Sequence, residues 1–397
     1  MLSMIDREYE IADIFYYSFA KADALYHFTK RQKAVAAHIM NCRTAEMGTY
    51  VYKCECGHEY ITHCSCRDRM CPKCQGEAHH EWIEKIEDVV LDCNHLHVVI
   101  TFPDCLNPIA LTNKEHYYSL MFEVVSSVIT TMCKNEKHLG AITGFTAILH
   151  TWGQQMNYHP HIHLAITAGG LTDDGEWKDA KRTKKGDVYL LPVKALAKAI
   201  KSRMLGKLRE SYKKGLFVFD DKQFEQLMDK ADNLQWICYC KEPFKGSRGV
   251  FAYIGNYTHR SAIANSRILH VDEDYVTYRF RDYADNSRQK EQTLTNEEFI
   301  RRFLMHTLAK GFVRIRHYGL YAVPNRKTKL AVAKAKINNG RKQKTPVKKE
   351  EKNTEEVPPV YKCPRCGGVM YRVNRTPLTK IEYLLHTYLK NISSVPP

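Results

Sequence analysis

Tyr158-His159-Pro160-His161-Ile162-His163-Leu164 begins a run, continuing to Thr167, in which imidazoles alternate with apolar residues. Period-two alternation is the pattern of a β-strand, where residues two apart share a face. His159, His161 and His163 then project from one face, about 6 to 7 Å apart, so that neighbouring imidazoles can share one metal ion. Upstream, Ala141 to His150 is a second apolar run, and the polar stretch Thr151 to Tyr158 fits the long loop of an antiparallel hairpin. Its first strand ends in His150, which can return to the same site as a third ligand. Leu96 to Phe102, short, β-branched and closed by Pro103, reads as another buried strand. Lys114 to Lys134 and Val193 to Lys213 have helical spacing with few breakers. The combination is an α+β domain with a largely antiparallel sheet flanked by helices. Chance is a competitor at the histidines: with 19 of them in 397 residues about one H-x-H arises at random, and His95-Leu96-His97 is a second example. Residue chemistry leaves the two tied, with a stack of satisfied core histidines as the alternative to either.

Toward the N-terminus, Ile14, Phe15, Leu25, Phe28, Val35, Ala36 and Ile39 recur every three or four positions, as one or two amphipathic helices across Ile11 to Met40 require. Six cysteines follow, Cys54, Cys56, Cys64, Cys66, Cys71 and Cys74, with His58 and His63 among them. Thiolates at such spacing close on a tetrahedral ion, and ligand softness favours Zn²⁺ over a redox cluster or bare thiols. Spacing does not say which four bind, or whether two ions are held. Gly57 and Pro72 suit the tight turns a zinc knuckle needs. Arg67, Arg69 and Lys73, threaded between the thiols, point either at phosphate or simply at solvent. Glu81 to Asp92 reads as a helix leaving the cluster.

Toward the C-terminus, Tyr253-Ile254-Gly255-Asn256-Tyr257-Thr258-His259-Arg260 sets two tyrosines four apart, on one face if helical, although Gly255 and Asn256 weaken a helix. A phenol needs a cation or metal-bound phosphate nearby before it acts as a nucleophile, and Arg260 and Arg267 can hold phosphate. Phe312 to Ala322 reads as the last strand or loop of the core. Asn325 to Lys349 carries ten basic residues and no acidic ones, the composition of a linker or nucleic-acid tail. Tyr361 to Val373 contains Cys363-Pro364-Arg365-Cys366-Gly367-Gly368, half a zinc knuckle.

The formal charge of +16 favours a polyanionic partner, nucleic acid ahead of an anionic membrane. No apolar run is long enough to span a bilayer, and Met1 to Glu10 lacks the basic start of a signal peptide, so a soluble, cytoplasmic protein with no membrane partner is expected. The 14 cysteines, clustered in a chain of this length, suit metal sites better than disulfides.

The blocks Ser65 to Gln75, His97 to Pro103, His150 to Gln154, His159 to His163 with Gly169-Gly170, Tyr253 to Arg260 with Asn265 to Ile268, and Arg314 to Gly319 occur in order between about residues 20 and 322. In that order they resemble the two-tyrosine HUH transposases of rolling-circle insertion sequences, the insertion-sequence ninety-one type. The resemblance implies that His161 and His163 bind Mg²⁺ or Mn²⁺ on the central strand and breaks the tie with His95 and His97. It implies a further polar ligand, assigned to His150 with Gln154 as substitute. It makes Tyr253 and Tyr257 the nucleophiles that leave a 5′-phosphotyrosine and a free 3′-OH on single-stranded element ends and target. Arg67, Arg69, Lys73, Arg260, Arg267, Arg314 and Arg316 become the expected DNA contacts. The zinc region departs from the family, because Cys54-x-Cys56 is tight and Cys64 is extra.

The chain is therefore expected to comprise a helical and zinc-binding DNA-recognition domain (1–92), an HUH-type catalytic domain (93–324), a basic linker (325–358) and a small cysteine-knuckle segment (359–397). The expected activity is a metal-dependent single-strand DNA transferase. A replication initiator or relaxase is the rival within the same chemistry, and a non-catalytic zinc DNA-binding regulator the rival outside it.

Overall fold

The computed structural model describes residues 9–75, 86, 89–184, 186, 188–244, 249, 262–283, 285–339 and 361–376. In chain order the elements are α1 (Ile11–Tyr26), α2 (Lys30–Asn41), β1 (Thr49–Cys54), β2 (Glu59–His63), β3 (His95–Thr101), α3 (Asn107–Thr112), α4 (Lys114–Lys134), β4 (Gly144–Trp152) and β5 (Tyr158–Thr167). Then come β6 (Gly169–Leu171), β7 (Trp177–Asp179), β8 (Lys181–Arg182), β9 (Val188–Tyr189), α5 (Val193–Lys213), α6 (Asp221–Asn233), β10 (Cys238–Phe244), β11 (Ile268–Val271) and β12 (Tyr275–Asp282). The rest are β13 (Arg288–Thr295), α7 (Asn296–Met305), β14 (Ile315–Gly319), α8 (Lys329–Asn339), β15 (Tyr361–Lys362) and β16 (Val369–Thr376).

Contacts divide the chain into two units that interleave: Met1–Ala78, Arg260–Thr307 and Thr345–Pro397 form one, His79–His259 and Leu308–Lys344 the other. The consecutive division expected at residues 92, 324 and 358 differs from this because strands and helices far apart in sequence pair within a unit.

In the first unit, α1 and α2 are separate helices. The chain leaves α1 through His27 in the left-handed region (φ 51°), and Thr29 and Gln32 form a capping box that starts α2. Phe15 of α1 meets Phe303 of α7 edge-on at 5.7 Å, and Tyr278 of β12 meets Phe299 of α7 at 5.9 Å, so α7 bridges the N-terminal helices and the sheet β11-β12-β13. A second sheet has the order β15-β16-β1-β2, drawn from both ends of the chain.

In the second unit, five antiparallel strands in the order β10-β3-β5-β4-β14 make the sheet on which the site is built. α4 and α5 match the expected helical stretches to the residue. The β4–β5 hairpin forms as expected, turning through residues 153–157 with Met156 at φ 57°. Register decides which side chains share a face. His161 stands opposite His150 on β4 and Thr101 on β3, and His163 opposite Ile148 and Val99. One face therefore carries His95, His97, His150, His159, His161 and His163, with His317 of β14 alongside through its pairing with Thr146. The other face carries Leu96, Val98, Phe145, Ala147, Ile162, Leu164 and Ile166. These are buried, and Leu96, Val98 and Ile166 line a small apolar void with Ile129 of α4 and Leu196 of α5. Apolar burial on one side holds the sheet and leaves the other free for polar chemistry. A Cβ at Gly319, at φ +59°, would collide with the Thr143 carbonyl, which closes the β14 edge against β4 with glycine alone.

Two expectations change here. The basic stretch from Asn325 is not wholly linker: α8 buries Leu330, Ala333 and Ile337, spaced three and four apart, against Leu320 and Tyr321. The helix expected over Glu81 to Asp92 lies mostly outside the described residues; Ile86, Val90 and Leu91 pack in the second unit.

Candidate active site and metal centres

On the histidine face, the ligand-capable atoms of His150, His161 and His163 lie within 4.8 Å of one another. His161 and His163 approach Nε2 to Nε2 at 3.0 Å. Two ligand atoms in neighbouring positions of an octahedral ion at about 2.1 Å stand about 3.0 Å apart, so the pair is spaced for one ion. The carbonyl of His159 accepts from His161 Nδ1 at 2.7 Å, which leaves the Nε2 lone pair directed at the site. Desolvation lowers the pKa of His161 to about 4, so its ring is neutral and competent as a ligand at neutral pH. His163 is held from behind by a 2.9 Å hydrogen bond between its Nδ1 and Nε2 of His97, the rings stacked within 2° of parallel. His150 is buried, stacks on Trp152 at 4.8 Å and lies 4.5 Å from His163, ring to ring. Gln154 lies in the turn between β4 and β5.

The competing H-x-H has other partners. His95 is fully buried, with Nδ1 donating to the Cys93 carbonyl at 2.9 Å and Nε2 accepting from the Tyr321 hydroxyl at 2.7 Å. His97 sits behind His163. Alternation placed both pairs on strands, but only the register puts His97 within reach of the other pair.

The cysteines divide into two groups of four. Cys42, Cys66, Cys71 and Cys74 form one, with Cys42 to Cys74 at 3.5 Å and Cys66 to Cys74 at 3.7 Å, sulfur to sulfur. Cys54, Cys56, Cys363 and Cys366 form the other, with Cys54 to Cys366 at 3.4 Å and Cys56 to Cys363 at 3.7 Å. A disulfide needs about 2.05 Å. Four sulfurs at about 2.3 Å around a tetrahedral ion are about 3.8 Å apart, so both groups have the spacing of metal sites. In the first group the amides of Cys66 and Asp68 donate to the sulfurs of Cys42 and Cys66, and Arg67 turns the chain at φ 53°. Hydrogen bonds from Cys42, then Cys66 and Cys71, hold the Cys74 thiol well below the usual thiol range.

Of the six cysteines the sequence singled out, Cys54, Cys56, Cys66, Cys71 and Cys74 enter these groups and Cys64 does not; its amide donates to Gly48 and its carbonyl accepts from Arg43. Cys42, Cys363 and Cys366 were not assigned to the cluster. Cys42 caps α2 twelve residues before Cys54, and the unmatched half-knuckle at Cys363 was the signal that the second pair lay elsewhere.

The expected nucleophiles Tyr253 and Tyr257, with Arg260, lie outside the described residues. Arg67 is exposed, whereas Lys73 pairs with Glu10 at 2.6 Å and Arg69 is half-buried. Arg267 donates to the Arg279 carbonyl. Arg314 is buried, and its carbonyl accepts from Leu149 in the sheet. Arg316 lies on the face opposite the histidines, its guanidinium 4.2 Å from the ring centre of Phe122. That places Arg316 in apolar packing and away from the histidine cluster.

Two family models match: one described as "Putative transposase" over residues 144–329, and one described as "Transposase zinc-binding domain" over residues 11–102. The first spans the β4–β5 hairpin with the three histidines, the second all four cysteines of the Cys42 group. Together these matches mark the chain as a transposase, a class of protein whose partner is DNA. Among curated relatives, the chain is 37% identical over 334 residues to "Putative transposase y4qJ" of Sinorhizobium fredii, covering 81% of this chain and 82% of that one. It is 27% identical over 301 residues to "Transposase for insertion sequence element IS801" of Pseudomonas savastanoi pv. phaseolicola, covering 72% and 68%. The chain belongs to the IS91-type transposases, with their N-terminal zinc-binding domain. No solved structure matches. Among the described residues no helix is long and apolar enough to cross a membrane.

Proposed function

We propose that this transposase cuts and rejoins single strands of DNA through 5′-phosphotyrosine intermediates, with an HUH-type metal site at His150, His161 and His163, in the rolling-circle movement of its element. The observation that carries the reading is the 3.0 Å approach of two imidazole nitrogens on the central strand of an antiparallel sheet. Family membership supplies the substrate, DNA, and the basic charge of +16 suits it.

His150, His161 and His163 would hold a divalent cation, and three nitrogen donors favour Mn²⁺ over the more oxygen-seeking Mg²⁺. Such an ion, when bound, polarises the scissile phosphate as a Lewis acid. The chain's own residues do the rest. The His159 carbonyl fixes the tautomer of His161, and His97 orients His163, so both rings present Nε2 to the site. The phenol oxygen of Tyr253 or Tyr257 attacks phosphorus and the bond to the 3′ oxygen breaks. The phenol proton passes to water, the leaving oxygen takes a proton to become a 3′-OH, and the 5′ phosphate stays on tyrosine. Attack of a 3′-OH on that phosphotyrosine reverses the step and joins strands. Two tyrosines allow one to keep an end while the other opens the next.

The test incubates wild type, Tyr253→Phe, Tyr257→Phe and the double variant with single-stranded element-end oligonucleotides and Mn²⁺. Wild type forms a covalent adduct resolved on a denaturing gel, and the double variant forms none. An adduct that persists in the double variant removes the tyrosine assignment.

A further inference from the structure

Cys363 and Cys366 lie beyond both family matches, and their partners Cys56 and Cys54 are 307 and 312 residues away in sequence. β1 and β16 run antiparallel with Cys54 opposite Met370, which brings two tight turns side by side. One turn is Cys54-Glu55-Cys56-Gly57, closed by Gly57 N–H to the Cys54 carbonyl at 2.9 Å with Gly57 at φ +81°. The other is Cys363-Pro364-Arg365-Cys366-Gly367, closed by Gly367 N–H to the Cys363 carbonyl at 2.8 Å with Gly367 at φ +73°. Both are knuckles, with the left-handed position given to glycine. The four sulfurs converge above a small apolar base of Tyr52 and Met370. Cys54 and Cys363 are buried while Cys56 and Cys366 are exposed, so the cluster is rooted in the sheet and open to an ion from solvent.

We propose that Cys54, Cys56, Cys363 and Cys366 bind a second structural Zn²⁺, distinct from the Cys42 group, which fastens the C-terminal strands to the N-terminal hairpin. Pairing segments so far apart carries a loop-closure entropy that sixteen residues, with few buried side chains among them, offset poorly. Four thiolates on one zinc supply that free energy and are lost with it. The N-terminal hairpin and the C-terminal strands are thereby one domain while zinc is bound.

Zinc per chain is measured on purified full-length protein carrying His161→Ala and His163→Ala, so that the histidine site takes up no zinc. Two zinc ions per chain are expected there, one after adding Cys363→Ser and Cys366→Ser, and one after adding Cys54→Ser and Cys56→Ser. X-ray absorption at the zinc edge on the parent, which depends on no cysteine variant folding, should find sulfur neighbours only, at about 2.3 Å. One zinc per chain in the parent, nitrogen or oxygen neighbours, unchanged zinc in the C-terminal pair variant, or a Cys54–Cys366 disulfide found by alkylation and mass spectrometry would each overturn the proposal. None of these outcomes depends on strand cleavage, so failure here is separable from failure of the proposed chemistry.

Discussion

The cysteine groups of the first unit and the histidine group of the second solve different problems with similar means. Each Cys42-type group offers four soft ligands and so closes a tetrahedron by itself, leaving no position for substrate. The histidine group offers three nitrogens, so a divalent ion held there would keep positions for a phosphate oxygen and water. The foursomes also sit on turns, where the metal holds the backbone together. The histidines sit on β4 and β5, whose register is already fixed by the apolar packing beneath. Metal in the first unit is thus expected to support folding, and in the second to support chemistry on a fold that stands without it.

Removing ligands tests that contrast at its largest. Cys66→Ser with Cys74→Ser should unfold the Cys42 region, seen as a lost thermal transition and lost zinc. His161→Ala with His163→Ala should leave circular dichroism and thermal midpoint near wild type while strand cleavage falls on the order of a thousandfold, about 4 kcal/mol of barrier. Equal loss of fold in both variants would erase the distinction. Metal removal sharpens it without mutation. A chelator of moderate strength at neutral pH should abolish cleavage while zinc stays bound to the thiolates, and Mn²⁺ should restore activity more fully than Mg²⁺. Zinc release in step with loss of cleavage would contradict the division of labour.

A smaller effect is expected at His97, which hydrogen-bonds His163 from behind. His97→Ala should weaken metal binding about 10- to 100-fold, because the imidazole behind a ligand sets its tautomer and orientation. The signature is a raised apparent metal constant with the maximal rate recovered at high Mn²⁺, and partial rescue by His97→Gln, which can still hydrogen-bond. A fall in maximal rate that no Mn²⁺ concentration recovers would mean that His97 acts otherwise.

How much of this was legible follows from how local each feature is. Lys114 to Lys134 and Val193 to Lys213 were read to the residue because an amphipathic helix writes its own periodicity. That His161 and His163 share a face is legible because one strand carries both, and that His150 can return to them because a hairpin allows it, but His95 and His97 offer the same alternation and the residues alone leave the two pairs tied. His97 was visible only as a competitor, since its contact with His163 depends on the register of β3 against β5. The second cysteine foursome was half-read for the same reason: Cys363 and Cys366 look incomplete until β16 is paired with β1. β13, Arg-Gln-Lys-Glu-Gln-Thr-Leu-Thr, was not read as strand because its side chains are mostly exposed and leave almost no hydrophobic alternation. Arg316 is expected at DNA from the resemblance, and the sequence does not tell that its guanidinium lies over Phe122 on the face away from the histidines.

The smallest expected effect concerns His95, which lies outside the His150, His161 and His163 group. Leu91 N–H donates to the Tyr321 hydroxyl at 3.3 Å, that hydroxyl donates to His95 Nε2, and His95 Nδ1–H donates to the Cys93 carbonyl. Both ring nitrogens are used in the neutral form, and burial lowers the pKa from 6.5 to about 4. Between those values the unfolded chain binds a proton that the folded chain does not, so stability should fall as pH drops from 6.5 toward 4. Tyr321→Phe leaves the buried Nε2 without its donor and should cost about 1 to 3 kcal/mol at pH 7. Protonation does not repair the loss, because Nε2–H then finds no acceptor in the variant whereas the wild-type hydroxyl can turn to accept it, so the variant's deficit should grow at lower pH. Thermal midpoints measured across pH 4 to 7 for both proteins decide it, and parallel curves would show that His95 and Tyr321 are not coupled.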